Sequence, residues 1–251
     1  MSSSPLHLPT SQAYDLWSEV YDTDGNVLQQ LDDIYISTTL PGLITPNCTV
    51  VELGCGTGRN TLKLVEMGAG KVLAIDNSRG MLEKLSEKLG GEGEGRVETF
   101  EVDLNTFSSD GVGITTHDGA AEFRKSLRDK EVSGIVSTLV LEHLHLRTFF
   151  SLAASILPPD GWLLLTNMHW DMGVISSAGF LDPTTGKKVK PVSINHNKRE
   201  ILEEAGKWGF VVEGEMKEEG IRDLEHAKGF GRRAEKWVGV LMHVGVVFRR
   251  I

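Results

Sequence analysis

The sequence predicts a single doubly wound α/β domain, with helices on both faces of a mostly parallel sheet. Three observations support this fold class. Apolar, strand-like segments alternate with segments of helical spacing along most of the chain. A turn with glycine at every second position joins the first strand to the helix after it, and two consecutive strands close the chain. The 251 residues can bury a substantial core as one domain without disulfide bonds.

Composition limits the partners and the compartment that we expect. The formal net charge of -9 and the pI near 5.4 disfavour sequence-independent binding to nucleic acid or to anionic lipid, because both draw on positive charge. The two cysteines, Cys48 and Cys55, lie around the first strand and indicate a reducing compartment. Residues 1–5 carry no basic region followed by an apolar run, and no segment approaches the length of a membrane span. We therefore expect a cytoplasmic protein with a small-molecule ligand.

The first 45 residues are predicted to hold a tail and two helices. Residues 1–12 are rich in serine and proline, and we expect a mobile tail there. Apolar and aromatic residues recur at helical spacing over 14–22, which predicts an amphipathic helix. A second helix is predicted over 27–40, because Pro41 and Gly42 end its apolar pattern.

The stretch 50–60 predicts a strand, a tight turn and a helix that together bind a ligand. Gly54, Gly56 and Gly58 remove side chains where the backbone must turn sharply and where a ligand must come close to the main chain. The spacing is shorter than that of dinucleotide-binding turns. Glu52 would repel a pyrophosphate and attract the amino group of an amino-acid-like ligand. This pattern favours S-adenosylmethionine (SAM) over a nicotinamide cofactor.

The second predicted strand, 71–76, ends in an acidic residue. Asp76 lies about twenty residues past the glycines, the interval at which nucleoside-binding α/β domains place a carboxylate on the ribose hydroxyls. An alternative is that Asp76 caps the next helix. In the ribose interpretation, Asn77 also belongs to the cofactor site and Met81 lies near the adenine.

Residues 51–58 resemble the first motif of class I SAM-dependent methyltransferases of the small-molecule type. Similarity of position extends from Tyr14 to the last two strands. The resemblance implies a Rossmann-like, seven-stranded sheet whose last strand is antiparallel. It also implies SAM as cofactor, S-adenosylhomocysteine (SAH) as product, and methyl transfer to an oxygen or nitrogen of a small, largely apolar or aromatic metabolite. We expect an enzyme of secondary metabolism, as a monomer or a homodimer.

Further cofactor contacts follow from the resemblance. Asp103 and Leu104 come after the third predicted strand, where the family places an acid on the adenine amino group; a turn or cap role for Asp103 is the alternative. Ser137 in the fourth predicted strand is also assigned to the cofactor site. The acid that the family commonly places at the start of this strand is missing, because Ser133 and Gly134 stand there.

His143 is the candidate catalytic residue. It follows the fourth strand, and a neutral imidazole can take a proton from a phenol or hydroxyl as that group attacks a methyl. A structural histidine that hydrogen-bonds a backbone carbonyl or the adenine side is the alternative.

The resemblance also implies a lid and a substrate pocket. Residues 13–45 would form a helical lid, in which Tyr14 and Tyr21 cover the cofactor and Trp17 and His143 meet the substrate. The alternative is an N-terminal helix that only packs on the sheet. His169 follows the fifth strand, at the sheet edge where α/β proteins bind ligands.

Trp170 belongs to the same aromatic cluster, for which ordinary core packing is the alternative. Residues 168–197 would form a loop or hairpin insertion on the substrate side. His196 precedes a helix predicted over 198–207 and would approach the substrate, although the adjacent asparagines also suit a helix cap.

The last strands are predicted over 210–216 and 237–248, with a charged, solvated segment between them. No pair of acids with oxygen-ligand spacing follows the fourth strand, so we expect no metal. Two other functions stay open. One is a nicotinamide-dependent oxidoreductase, and the other is a domain of the same fold that catalyses a reaction other than methylation.

Overall fold

Strands and helices alternate along the computed structural model, which describes residues 4–90, 95–106, 118–128 and 130–251. In chain order the elements are β1 (Leu6–His7), α1 (Thr10–Trp17), α2 (Val27–Thr39), β2 (Thr49–Leu53), α3 (Arg59–Glu66), β3 (Lys71–Asp76), α4 (Arg79–Leu89), β4 (Val97–Glu101), α5 (Asp118–Leu127), β5 (Val132–Thr138), α6 (Leu146–Ile156), β6 (Trp162–Met168), α7 (Trp170–Ile175), β7 (Phe180–Leu181), β8 (Lys188–Lys190), α8 (Lys198–Lys207), β9 (Phe210–Gly220), α9 (Leu224–Lys228) and β10 (Leu241–Arg250).

The main sheet has seven strands in the order β4-β3-β2-β5-β6-β10-β9. The first five are parallel, and β10 runs antiparallel to both β6 and β9. The predicted seven-stranded, mostly parallel sheet with an antiparallel last strand is therefore confirmed. The edge is formed by β9, and β10 lies inside it. Because parallel strands point the same way, the carboxyl ends of β2 to β5 meet at one edge of the sheet.

Helices cover both faces because the parallel strands are apolar on both sides. Val51 and Leu73 belong to one buried cluster, which also contains Phe149. Val50 and Val72, their neighbours in sequence, belong to the cluster on the other face. Successive residues of a strand point to opposite faces, so this alternation divides the core into two layers.

The N-terminus differs from the prediction. Residues 1–3 lie outside the described part, but β1 and the start of α1 fall within the segment expected to be a mobile tail. Leu6 pairs with Val189 and His7 with Lys190, giving a small sheet in the order β1-β8-β7. The partner strand lies about 180 residues away in sequence, so no local pattern could indicate this pairing.

The expected lid, 13–45, divides into two parts. Helix α1 packs against α4 and forms a cluster with β7 and β8. Helix α2 packs on the sheet instead, where Tyr35 and Ile36 join the core. The expected insertion, 168–197, contains α7 and the β7–β8 hairpin.

The last strand begins at Leu241, although the apolar pattern predicted a start at 237. A 3-10 helix, Arg232–Trp237, precedes it. This helix places Trp237 in a buried cluster with Met168 and Met242, so the tryptophan contributes to the core as part of a turn.

Candidate functional site

A cavity lies at the carboxyl edge of the parallel strands, where the loops after β2, β3, β4 and β5 meet α1. Ten of the residues predicted from the sequence line it: Tyr14, Tyr21, Gly54, Gly56, Asp76, Asn77, Met81, Asp103, Leu104 and His143. We call it the cofactor cavity. The structure thus brings together Gly54, Gly56, Asp76 and Asp103 from three strand ends.

The glycine turn forms one wall of the cofactor cavity. Gly54 has φ +77°, and a Cβ there would stand 2.2 Å from Cγ2 of Val140. Gly56 has φ +54°, and a Cβ there would meet no atom within 4 Å. Gly56 lines the cavity, so this open space is available to a ligand that approaches the main chain.

Gly58, which was also predicted for the cofactor site, does not line the cavity and allows close packing instead. It is the N-cap residue of α3, and a Cβ at this position would stand 2.3 Å from Cδ1 of Leu85.

Two backbone amides hold the Asp76 carboxylate at the end of β3. The N–H of Gly56 donates to Oδ2 at 2.8 Å, and the N–H of Ser78 donates to Oδ1 at 2.9 Å. Burial raises the pKa of Asp76, and these amides oppose that shift. Ser78 caps α4 by accepting a hydrogen bond from the N–H of Met81, so the alternative of Asp76 as helix cap is wrong.

The far end of the cavity suits a flat, partly apolar ring. Val102, Leu104 and the fully buried Met81 line it together with Asp103 and Asn105. The Asp103 carboxylate accepts a hydrogen bond from the N–H of Asn105 at 2.9 Å. Asp103 therefore also stabilises a turn, which was the alternative role predicted for it from the sequence.

Glu52 and Ser137, which were predicted for the cofactor site, do not line the cavity. Glu52 is buried beneath the turn and accepts a hydrogen bond from Thr61 Oγ1 at 2.5 Å. Ser137 is buried and donates to the Leu53 carbonyl oxygen at 3.2 Å, whereas Thr138 lines the cavity. Successive strand residues point in opposite directions, which explains why the neighbour of Ser137 takes this place.

Burial raises the pKa of Glu52 to about 7, although the Thr61 hydrogen bond and Arg59 oppose the shift. A carboxyl whose pKa is raised by folding stabilises the protein below its unfolded pKa of about 4.3 and loses that contribution as the pH rises through 7.

The unfolding free energy of wild type should therefore fall relative to that of Glu52→Gln as the pH rises. We expect the difference between them to change by about 3 kcal/mol from pH 5 to pH 8, in favour of the variant. Urea denaturation at the two pH values measures this difference. The control Glu66→Gln, at an exposed position on α3, should keep the wild-type pH dependence. An equal response of both variants would contradict the prediction.

Tyr14 and His143 form a hydrogen-bonded pair at the mouth of the cavity. His143 Nδ1 lies 2.6 Å from the Val192 carbonyl oxygen, which can only accept, so Nδ1 carries the proton. In the neutral ring Nε2 is then an acceptor, and the Tyr14 hydroxyl donates to it at 2.9 Å. Burial raises the pKa of Tyr14 well above its usual range, which keeps this hydroxyl protonated.

A second cavity adjoins the first, and Tyr14, Tyr21 and Leu139 line both. We call it the acceptor cavity. Its buried lining is mainly apolar and includes Met168, Met242, Trp17 and Trp237, with Glu142 as a buried carboxyl group. Asp24, Lys188, Arg233 and Lys236 supply its other charged groups. Trp17 was predicted, whereas the charged residues were not. Arg233 and Lys236 come from the segment that was interpreted as a solvated face.

His169, Trp170 and His196, which were predicted for the substrate pocket, line neither cavity. His169 is fully buried, accepts from the N–H of Asp171 as the N-cap of α7, and lies 3.2 Å from Glu218 Oε2. Trp170 packs against its ring. His196 Nε2 donates to the Leu144 carbonyl oxygen at 2.9 Å. Each histidine thus has a structural partner that the sequence could not reveal.

Residues 4–90, 95–106, 118–128 and 130–251 contain neither a metal-binding cluster nor a membrane-spanning helix. No three His, Cys, Asp or Glu side chains come together in an arrangement that could hold a metal ion. In the same part of the chain, no helix is both long and apolar enough to cross a bilayer.

Comparison with known proteins agrees with this geometry. Residues 51–165 match the methyltransferase domain family. The chain is 38% identical over 264 residues to an uncharacterized methyltransferase, AN0656, of Emericella nidulans, with 96% of this chain and 90% of that protein covered.

Two solved structures share the fold. A SAM-dependent methyltransferase from Mesorhizobium loti has a TM-score of 0.59 at 18% identity, with 88% of this chain and 100% of that chain covered. The [4+2]-cyclase SpnF has a TM-score of 0.58 at 16% identity, with 100% and 99% covered. The relative in Emericella nidulans, together with the seven-stranded sheet and the glycine turn, shows that the chain belongs to the class I SAM-dependent methyltransferases.

Proposed function

We propose that the protein transfers a methyl group from SAM to an oxygen or nitrogen of a small, largely apolar or aromatic metabolite, as an enzyme of secondary metabolism. The observation that carries this proposal is the pair of adjoining cavities. One has the acids and the glycine turn that suit an aminoacyl nucleoside, and the other has a buried lining that is mainly apolar. Tyr14, Tyr21 and Leu139 form their common wall, where the two molecules would meet.

The residues of the cofactor cavity fit SAM. Asp76 would accept hydrogen bonds from the ribose hydroxyls, and Asp103 would accept from the adenine amino group beside Met81. The open space at Gly56 leaves room for the ligand against the main chain. When bound, SAM supplies a methyl group on a sulfonium, which a nucleophile displaces in line to leave SAH.

The protein contributes mainly by orienting the two molecules and excluding water. Tyr14 stacks on Trp17 with ring centroids 5.4 Å apart, and Trp17 stacks on Phe180 at 5.1 Å. Tyr21 packs edge-on against Trp17 at 5.3 Å. This aromatic cluster joins α1 to the β7–β8 hairpin over the common wall, and it supports a role of α1 as a lid.

His143 is proposed as the base for a hydroxyl acceptor. It lines the cofactor cavity only, whereas Tyr14 lines both cavities. The proton would therefore pass from the acceptor to the Tyr14 oxygen while the Tyr14 hydroxyl proton moves to His143 Nε2. The Val192 carbonyl holds the imidazole in the tautomer that this transfer requires.

His143→Gln should lower the methyl-transfer rate on a hydroxyl acceptor by about 100-fold or more, because positioned bases contribute rate factors of this size. Affinity for SAH should change little. The comparison variant Tyr14→Phe keeps the stacked ring and interrupts the same proton path, so its rate should fall as well. Steady-state kinetics and calorimetry with SAH measure the two effects. A rate loss below about tenfold with unchanged SAH affinity would rule out His143 as the base.

The proposed function is tested by incubating the protein with methyl-labelled SAM and a metabolite extract. We expect labelled small molecules, and none with the Asp76→Ala variant. Calorimetry with SAH and with NADH gives an independent answer. Tight binding of NADH without SAH would contradict the proposal, and SAH binding without any labelled product would favour a different reaction on the same fold.

A further inference from the structure

The acceptor cavity carries three cationic side chains at its outer end. Lys188 lies on β8, and Arg233 and Lys236 lie on the 3-10 helix before β10. All three residues are exposed, whereas the methionines Met168 and Met242 of the same cavity are buried. The cavity therefore has a deep apolar part and a positively charged mouth.

The cations at this mouth make no direct contact with a carboxylate among the described residues, although the charge of Arg233 acts on the Asp24 carboxylate. In the described part of the chain, Lys188, Arg233 and Lys236 form no ion pair, although many other lysines and arginines do. The chain has 35 acidic and 26 basic residues, so carboxylates are not scarce. The Arg233 guanidinium donates to the backbone carbonyl of Asp24.

These positive charges also act on one another. The pKa of Lys188 is lowered by its partial burial and by the charges of Lys190 and Lys236. A bound anion would relieve this repulsion, since opposite charges a few ångströms apart attract even near the surface.

Two carboxylates, Asp24 and Glu142, line the same cavity. Trp17 Nε1 donates to Asp24 Oδ2 at 3.0 Å, and Ser193 Oγ donates to Glu142 Oε2 at 3.2 Å. Three cations against two carboxylates leave the cavity with a net positive charge. The other oxygen of Asp24, Oδ1, is buried and has no hydrogen-bond partner among the described residues. It is available to a hydroxyl or N–H group of a ligand.

We propose that the methyl acceptor has an apolar body and an anionic group, a carboxylate or a phosphate, and that Lys188, Arg233 and Lys236 bind this group. The inference rests on the proposed function and names its substrate class. Tyr14, Tyr21 and Leu139 place the other end of the acceptor beside the cofactor cavity. The methylated atom is therefore remote from the anionic group, and the product keeps its negative charge.

The test compares probes of similar shape and different charge on the protein saturated with SAH. Naphthylacetate should bind at least about tenfold more tightly than naphthylacetamide, and added salt should weaken the acid alone. Naphthyl phosphate serves as the third probe, and its affinity relative to naphthylacetate distinguishes a phosphate from a carboxylate site. Calorimetry gives the dissociation constants.

Matched variants locate the effect. Lys188→Glu combined with Lys236→Glu should abolish the preference for the acid. Lys187→Glu makes the same charge change at an exposed neighbour that does not line the cavity, so it should keep the preference. Failure to bind SAH would count against the proposed function itself. Three results would overturn this inference alone in a protein that binds SAH. The acid and the amide could bind with equal affinity, or no probe could bind. The preference for the acid could also fall equally in the Lys188→Glu, Lys236→Glu variant and in Lys187→Glu.

Discussion

Asp76→Ala is expected to raise the dissociation constant for SAH by about 100-fold or more. Hydrogen bonds to a charged acceptor contribute about 1.5–3 kcal/mol each, and the variant removes the carboxylate that accepts from the backbone N–H of Gly56 in the glycine turn. It also leaves the N–H groups of Gly56 and Ser78 without their acceptor, so the turn itself loses support. Calorimetry with SAH measures the affinity, and circular dichroism checks that the fold persists.

Two variants make this result specific. Glu101→Ala removes the exposed carboxylate that pairs in register with Asp76 on the neighbouring strand and does not line the cavity. It should bind SAH like the wild type. Asp76→Asn keeps one acceptor oxygen, so its affinity for SAH should lie between those of the wild type and Asp76→Ala. An Asp76→Ala protein with wild-type affinity would refute the ribose assignment.

Asp32→Ala is expected to cost about 3–5 kcal/mol of unfolding free energy, because it leaves buried groups without their charged partner. Asp32 is fully buried on α2. Its Oδ1 accepts from Thr166 Oγ1 at 2.5 Å and from His243 Nε2 at 3.0 Å, and its Oδ2 pairs with Arg59. This one carboxylate joins α2 to β6, β10 and α3.

Asp33 provides the matched control, since it also pairs with Arg59, at 2.8 Å, but its side chain is 44% exposed. Asp33→Ala should cost less than about 1 kcal/mol, as is usual for exposed ion pairs. Urea denaturation of both variants gives the comparison. Equal losses would show that the buried network contributes no more than a surface pair.

The pH dependence of the Asp32→Ala effect has a defined sign. Burial alone would raise the pKa of Asp32, but His243, Arg59 and Thr166 outweigh it and hold the pKa below its ordinary value. Its contribution is therefore complete above the unfolded pKa of about 3.9 and is lost as the pH falls through the folded pKa. The difference between wild type and variant should shrink below about pH 4.

The cofactor side of the site could be predicted because it is encoded locally. Gly54, Gly56, Asp76 and Asp103 each lie at or shortly after the carboxyl end of a strand, and the carboxyl ends of neighbouring parallel strands must meet at one edge. Knowing which segments form the parallel strands is therefore enough to predict that these residues come together. The predicted cavity lining differs from the observed one where a shift of one residue along a strand reverses the direction of the side chain, as with Ser137 and Thr138. It also differs at Glu52 and Gly58, which lie against Thr61 and Leu85 behind the glycine turn.

The acceptor side depended on contacts between distant segments. Lys188 and Lys236 approach each other only because β8 pairs with β1 and a 3-10 helix precedes β10. His169 follows the right strand, yet its ring caps α7 and faces Glu218, a residue of β9. By itself, the sequence determined the fold class and the nucleoside-binding strand ends, because periodicity and glycine spacing act locally. Only the tertiary structure decided which side chains line the acceptor cavity. Contacts between distant segments select these residues from the many exposed charged and apolar residues of the chain.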